Sequence, residues 1–384
     1  MQDIIAQNQA WIDLTWEKIE KKLSRTAVKS RNKIPYTTVN GEHDDKSNII
    51  GQWTNGFWGG MMWLMYHETG KEEYRKTAEH SEKLLDISLR DYKSLHHDVG
   101  FMWHLTSGAN YRLTGNKESC TRNLFAAASL FARYNIAGDY IRAWNGTWHG
   151  RENAGFSIID CLMNLSILYW ASEEIGDERF KKIAMRHMEM ALRDHIREDG
   201  SINHIVNHEV DKVGIKEIIG GQGYDATSCW SRGLAWAVYG CVISYIHTGK
   251  QEYLAAAKKT ADYFIAHCKE TTYLPLADFK APAEPIYYDS TAGVCAACGI
   301  LEIAKNASKE EGRRYTQEAI NILRAIEENW CNYEETEDAL VLMGTERYPH
   351  NEKEMMGLHK PIIYADFFFV EAMTKLRGSD FFIW

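Results

Sequence analysis

Proline is scarce: the chain has 6 in 384 residues, at positions 35, 275, 282, 285, 349 and 361. A sequence so poor in helix breakers is free to run in long helices. Basic charge is not in excess either. Lys plus Arg number 44 against 53 Asp plus Glu, a net charge of −9, and no Lys/Arg-rich run occurs. A nucleic-acid partner is therefore not expected. No apolar run approaches the roughly 20 residues that span a bilayer. The start, Met1-Gln-Asp-Ile-Ile-Ala6, lacks the basic and apolar stretches of a secretory signal. A soluble cytoplasmic protein with no membrane partner is expected. The cysteines, at 120, 161, 229, 241, 268, 295, 298 and 331, form no framework. Cys295 and Cys298 make one C-x-x-C with no second pair and no nearby His, so neither a zinc site nor a redox motif is read there. Free thiols suit a reducing compartment. H-E-x-x-H, EF-hand, G-x-x-x-x-G-K-S/T and G-x-S-x-G patterns are all missing. No metal and no cofactor are expected, and nucleotide hydrolysis and serine-esterase chemistry are disfavoured.

Aromatic residues, by contrast, are plentiful, with 13 Trp, 20 Tyr and 13 Phe. Flat rings fill helical cores and also bind sugars. Apolar periodicity predicts helices over 3–23, 56–69, 71–90, 99–114, 116–134, 155–175, 177–195, 225–248, 250–267, 289–305, 308–329 and 362–377, with almost no strand pattern. They pair through similar turns. Tyr66-His-Glu-Thr-Gly70-Lys-Glu-Glu-Tyr74 returns as Tyr245-Ile-His-Thr-Gly249-Lys-Gln-Glu-Tyr253, with weaker copies ending at Gly115 and Gly176. In each, Gly supplies a left-handed cap and acidic residues open the next helix. Long connections fall between the pairs rather than within them. This describes six helical hairpins in a closed ring, with inner and outer helix layers and a site under the long loops. No Gly/Pro-rich linker divides the chain, so 1–384 reads as a single domain.

Rare residues gather in those long connections. Trp53-Thr-Asn55-Gly-Phe57-Trp58 opens one helix, where Trp53 and Trp58 are ligand-facing candidates and Trp63 reads as core. In His96-His97-Asp98-Val-Gly100, Asp98 occupies an N-cap position. Asp160 falls within the apolar stretch Gly155–Trp170, which has no solvated face to take a carboxylate. Buried in a helix it needs a partner or its pKa rises, and a raised carboxyl pKa suits a general acid. His204, His208 and Gln222 lead into Asp225, read as a cap, and then Trp230-Ser-Arg232-Gly-Leu-Ala-Trp236. An Arg among tryptophans suits a carboxylate carried on a stacked ring. Asp289 and Asp366 read as caps.

These blocks resemble the unsaturated glucuronyl hydrolases, bacterial enzymes acting on oligosaccharides that polysaccharide lyases release. The likeness runs from Trp53 to Asp366 and is carried by His97-Asp98-Val-Gly-Phe, Ile159-Asp160-Cys-Leu-Met-Asn164-Leu, Trp230-Ser-Arg232-Gly-Leu-Ala-Trp236 and Tyr364-Ala-Asp366-Phe-Phe-Phe-Val-Glu371-Ala. It implies an all-α α6/α6 barrel and a hydrolase that hydrates the C4=C5 double bond of a terminal 4,5-unsaturated uronic acid. It further implies Asp160 as the acid/base and Asp98 as a second essential carboxylate. The implied substrate-binding set is Trp53, His97, Trp144, His204, Gln222, Trp230, Arg232 and Trp236. The implied partner is an unsaturated uronate-containing oligosaccharide, glycosaminoglycan-type disaccharides being favoured, and the protein is expected as a monomer or small homo-oligomer. Unsaturated rhamnogalacturonyl hydrolases share barrel and chemistry and are the alternative. A non-catalytic sugar-binding toroid is the alternative of another class.

Overall fold

A computed structural model describes residues 1–384 in full. Its long helices are α1 (Gln9–Lys29), α2 (Phe57–Thr69), α3 (Glu72–Leu89), α4 (Ala109–Thr114), α5 (Lys117–Phe131), α6 (Ser166–Ile175), α7 (Glu178–Asp194), α8 (Ser231–Thr248), α9 (Gln251–Glu270), α10 (Ser290–Asn306), α11 (Lys309–Trp330) and α12 (Ile363–Arg377). A π-helical segment, Gly100–Gly108, runs directly into α4, and a helical turn, Cys161–Asn164, precedes α6. The expected tight turns are present. Gly70, Gly115, Gly176 and Gly249 hold φ of +67°, +75°, +67° and +71°, the left-handed region that ends a helix without a Cβ clash. The α10–α11 turn instead uses Ser308, whose hydroxyl and Glu311 form a reciprocal capping box.

Burial sorts the helices into two kinds. In α8 every residue from Ser231 to Ser244 is buried, and in α12 every residue from Ile363 to Leu376. The partners α1, α3, α5, α7, α9 and α11 each bury only one face, as amphipathic helices do. The buried helices touch in sequence: α2 packs on the π segment, that segment on α6 and its leading turn, the turn on α8, α8 on α10, and α10 on α12. α12 in turn packs against α2. One apolar cluster of 97 buried residues runs from Ile4 to Trp384. Close approach between neighbours is built on small residues. A Cβ on Gly240 of α8 would lie 2.4 Å from Leu162 Cβ. Beyond α12 the chain returns under the core, where Trp384 stacks on Phe368 with 6.0 Å between ring centroids, and Arg112 Nη1 donates to Phe382 O at 2.8 Å.

Two helix starts differ from the periodicity. The helices expected from 155 and 225 begin at Cys161 and Ser231. Phe156–Ile158 is an extended strand, β1, paired antiparallel with β2 (Ile205–His208), which pairs with β3 (Ile215–Ile219). The β-branched and aromatic side chains of 156–159 favour this once a partner strand exists, and that partner lies far along the chain. Short two-residue strand pairs occupy other long connections. No helix is long and apolar enough to cross a membrane.

Candidate active site

Asp160 sits where β1 meets the Cys161–Asn164 turn, as the residue before the first helical one (φ −57°, ψ −27°). The expectation that it lies inside a continuous apolar helix is corrected by the strand that precedes it. The β1–β2 pairing brings His204 opposite, with Ile159 N–H donating to His204 O at 3.1 Å. His204 Nε2 stands 3.6 Å from Asp160 Oδ1. His204 Nδ1 lies 2.9 Å from Gln222 N–H and 3.2 Å from Gly220 O; accepting from the closer Gln222 N–H leaves the ring proton on Nε2, toward Asp160. Asp160 Oδ1 is buried and accepts no hydrogen bond.

Asp98 is not an N-cap. The π segment begins after Val99, and no side chain caps it. The Asp98 carboxylate instead lies 3.2 Å from His97 Nε2 and 3.3 Å from His96 Nδ1, and accepts from Asn164 Nδ2 at 3.3 Å. Burial pushes this carboxyl up, but the two imidazoles outweigh it and hold Asp98 well below the usual carboxylate range. Asn164 joins the two acids, because its Nδ2 also reaches Asp160 O at 3.3 Å. Phe101 N–H donates to Asn164 Oδ1 at 2.8 Å and so fixes which way the amide points. Gly100 is needed for this contact, since a Cβ there would lie 2.6 Å from Asn164 Oδ1.

Arg232 is almost wholly buried and committed to protein partners. Its Nη1 donates to Asp289 Oδ2 at 2.9 Å, Thr291 Oγ1 at 3.2 Å and Thr345 O at 2.5 Å, and its Nη2 to Glu346 O at 2.6 Å. The guanidinium also lies over the Trp230 ring at 4.5 Å. Nε–H is left buried and unpartnered. Asp289 caps α10 as expected, accepting from Thr291 N–H at 3.1 Å. The other two expected caps do different work. Asp225 closes a turn by accepting from Thr227 and Ser228 N–H, while Asp366 accepts from Leu340 and Val341 N–H and ties down the 338–341 stretch.

A cavity of about 380 Å³ opens at Arg232, lined by Tyr36, Thr37, Lys46, Gln52, Trp53, Gln222, Arg232, Glu346, Arg347, Lys360 and Tyr364; Asp160, Asp98 and His204 are not part of its wall. Asp160 acts electrostatically on both Arg232 and Tyr364. Trp53 is half-buried at the wall, edge-on to Trp236 at 6.4 Å. Trp236 is fully buried beneath, as is Trp58, and Trp230 packs on His204 at 4.3 Å with its indole N–H unpartnered. Trp144 is half-buried, edge-on to His97 at 6.3 Å and stacked on Trp148 at 5.9 Å. Tyr36, Lys46 and Glu346 carried no signal in the sequence, because they stand on irregular loops without periodicity or motif. A larger hollow, about 710 Å³ between α3 and α5, is lined by Leu89, Tyr92, Leu95 and Phe125 and contains none of the candidate residues.

No protein-family model matches the chain. It is 32% identical over 360 residues to an unsaturated glucuronyl hydrolase of Bacillus sp. (strain GL1), covering 92% of this chain and 93% of that protein. An unsaturated chondroitin disaccharide hydrolase of Streptococcus pyogenes serotype M1 is 30% identical, covering 84% of this chain and 81% of its own. Among solved structures, the unsaturated glucuronyl hydrolase of Bacillus sp. GL1, described as responsible for the degradation of glycosaminoglycan, superposes with a TM-score of 0.86 at 28% identity, covering 94% and 97% of the two chains. Identity of this extent, along nearly the full length of both sequences and on the same backbone, places the chain: it is an enzyme and belongs to the unsaturated glucuronyl hydrolases.

Proposed function

We propose that the protein removes the terminal 4,5-unsaturated uronic acid from lyase-generated oligosaccharides by hydrating its C4=C5 double bond, with Asp160 as general acid and base. One observation carries this reading: the buried Asp160 Oδ1 has no hydrogen-bond partner, and His204 Nε2–H faces it from 3.6 Å. A buried carboxyl oxygen left without a hydrogen-bond partner is free to give and take a proton. Asp160 delivers a proton to C4 and draws one from the water that adds to C5. The resulting hemiketal opens to a C5 ketone, and the hemiacetal left at C1 then releases the remaining sugar. Asp98 stays anionic and, through Asn164, holds the strand end that carries Asp160. The unpartnered Arg232 Nε–H, beside the Trp230 ring, suits the uronate carboxylate. Proton transfer and water addition use the protein's own groups, with neither metal nor cofactor in the scheme.

The cations at the cavity are already countered. Lys46 pairs with Asp44 at 3.0 Å, Lys360 with Glu346 at 2.7 Å and Arg347 with Glu354 at 3.7 Å, while Arg232 alone keeps a buried, unpartnered N–H. This favours glycosaminoglycan-type disaccharides that carry the uronate carboxylate and no sulfate. The cyclic packing of α2, the π-helical segment that runs into α4, α6, α8, α10 and α12 supports an α6/α6 barrel, and the continuous core supports one catalytic domain over 1–384. The test is hydrolysis in ¹⁸O-water, followed by loss of the conjugated double bond's ultraviolet absorbance. Label enters C5 of the uronate product, after correction for exchange, and Asp160→Asn loses several orders of magnitude in turnover, at or beyond the upper end of the about 10²–10⁴-fold of a single acid–base step. Label at C1 of the uronate overturns the hydration scheme.

A further inference from the structure

Behind Asp160 and His204 lies a buried polar chain with no contact to the cavity. Ser157 of β1, His195 after α7 and His208 of β2 are all at most 1% exposed. Ser157 Oγ is 2.8 Å from His195 Nε2 and 2.7 Å from His208 Nε2, and His195 Nδ1 is 2.8 Å from Asn203 O. Burial holds His195 down at about 4 and His208 at about 3, so each ring is neutral, with one donor and one acceptor. The directions follow. A carbonyl only accepts, so His195 donates through Nδ1–H to Asn203 O. Its Nε2 then accepts from the Ser157 hydroxyl, and Ser157 Oγ accepts from His208 Nε2–H.

The ends of this chain matter more than its length. Asn203 immediately precedes His204, and Ser157 stands three residues before Asp160, in the strand that leads to it. The other polar atoms of Asn203 are also held, N–H by His195 O at 2.7 Å, Nδ2 by Asp194 O at 2.8 Å and Oδ1 by Arg197 Nε at 2.8 Å. Continuing along the backbone, His204 O accepts from Ile159 N–H. Ser157, His195, Asn203, His204 and Ile159 thus form a closed loop of hydrogen bonds and peptide bonds, with one imidazole spanning the two segments that carry the site.

We propose that Ser157 and His195 are positioning residues that set the separation of His204 from Asp160 and thereby govern the chemical step. The proposal rests on the reading of Asp160 as acid/base. Neither side chain touches substrate, so their effect falls on kcat and not on KM. Small displacements of a catalytic group cost up to about a hundredfold in rate.

The experiment compares kcat, KM and melting temperature for Ser157→Ala, Asp160→Asn and a control, Thr316→Ala, all in the full-length protein. Thr316 is fully buried in α11 and bonds Gly312 O at 2.7 Å, remote in sequence and element from the site, so its loss reports destabilisation alone. The expected result is a kcat about ten- to a hundredfold lower in Ser157→Ala with KM within about threefold, and wild-type kcat in the control even where it melts earlier. If Ser157→Ala fails to fold, His195→Gln serves, because it keeps an acceptor for Ser157 and loses the donor to Asn203 O. A folded variant of either kind with wild-type kcat, beside an inactive Asp160→Asn, overturns the positioning role alone. An active Asp160→Asn overturns the acid–base reading and this proposal with it.

Discussion

Replacing Arg232 separates two jobs that one guanidinium performs. Its ion pair with Asp289 is closed to solvent, the side chains being 1% and 0% exposed. Arg232→Ala leaves the Asp289 Oδ2 without its cation, and removing one partner of a buried pair costs about 3–5 kcal/mol. A melting entropy of about 2.1 cal/mol/K per residue over 384 residues gives roughly 0.8 kcal/mol/K. The Ala variant should therefore melt about 4–6 °C lower by calorimetry, on the same bookkeeping. It should also lose a charged hydrogen bond to the uronate carboxylate, about 1.5–3 kcal/mol, or tenfold and more in KM. Asp289→Asn breaks the same pair from the other side. It should melt lower by a similar amount yet keep its KM, because Nε–H and the stacked guanidinium remain. Arg232→Lys should recover only part of either loss, since a point charge lacks the planar fork. Equal rises in KM for Arg232→Ala and Asp289→Asn would reduce Arg232 to scaffolding and refute its contact with substrate.

Other outcomes follow from the geometry. Asp98→Asn should keep the fold and lose most of the turnover. Because Asp98 is held below the ordinary carboxylate range, the stability it contributes is present above pH about 4 and lost on acidification beneath that, so the acid limb of a melting-versus-pH curve should flatten in the Asn variant. Asp366 has the opposite sign. Burial raises its carboxyl from 3.8 to about 7, so its contribution is full below 3.8 and lost as pH rises through 7. Asp366→Asn should remove that decline in melting temperature between pH 4 and 7, whatever the substitution costs in itself. Gly100→Ala should drive a methyl against Asn164 and lower kcat, at about 1–3 kcal/mol in stability, measured by steady-state kinetics and thermal unfolding. Exhaustive chelation should leave the rate unchanged; activity restored by one specific divalent ion would contradict the scheme.

Much of the helical order is legible because it is local. A glycine cap and the acidic turn after it act within a few residues, which is why the turns at Gly70, Gly115, Gly176 and Gly249 can be read directly. The strand at Phe156–Ile158 cannot, since its partner at Ile205–His208 lies beyond α6 and α7, and an isolated Phe-Ser-Ile-Ile fits a helix as well as a sheet. Reading that segment as helix puts Asp160 in a helix interior, where the structure has it at the end of a strand. The candidate side chains stand out through their rarity, as with Asp160 and Asp98 amid apolar and aromatic neighbours. Their partners were not. Nothing near Arg232 in sequence announces Asp289 or Glu346, 57 and 114 positions away, and Asp98 looked like a cap until Asn164 was seen to hold it.

The packing of α12 against α2 bears on how the molecule is made. Each helical hairpin is a short-range unit that forms quickly, but the contact between residues near 60 and residues near 365 joins segments far apart in the chain. Loop closure of that span must wait until α12 has left the ribosome. Until then Phe57 of α2, which lies against Trp53 and Phe101 but also against Tyr364, Phe367 and Phe368, lacks the cover of those last three rings. Nascent chains stalled before Ile363 should therefore be the species that chaperones bind and that aggregate. The cavity, whose walls include both Tyr36 and Tyr364, exists only after that closure, so the hollow at Trp53 and Arg232 is walled in a single late step of folding.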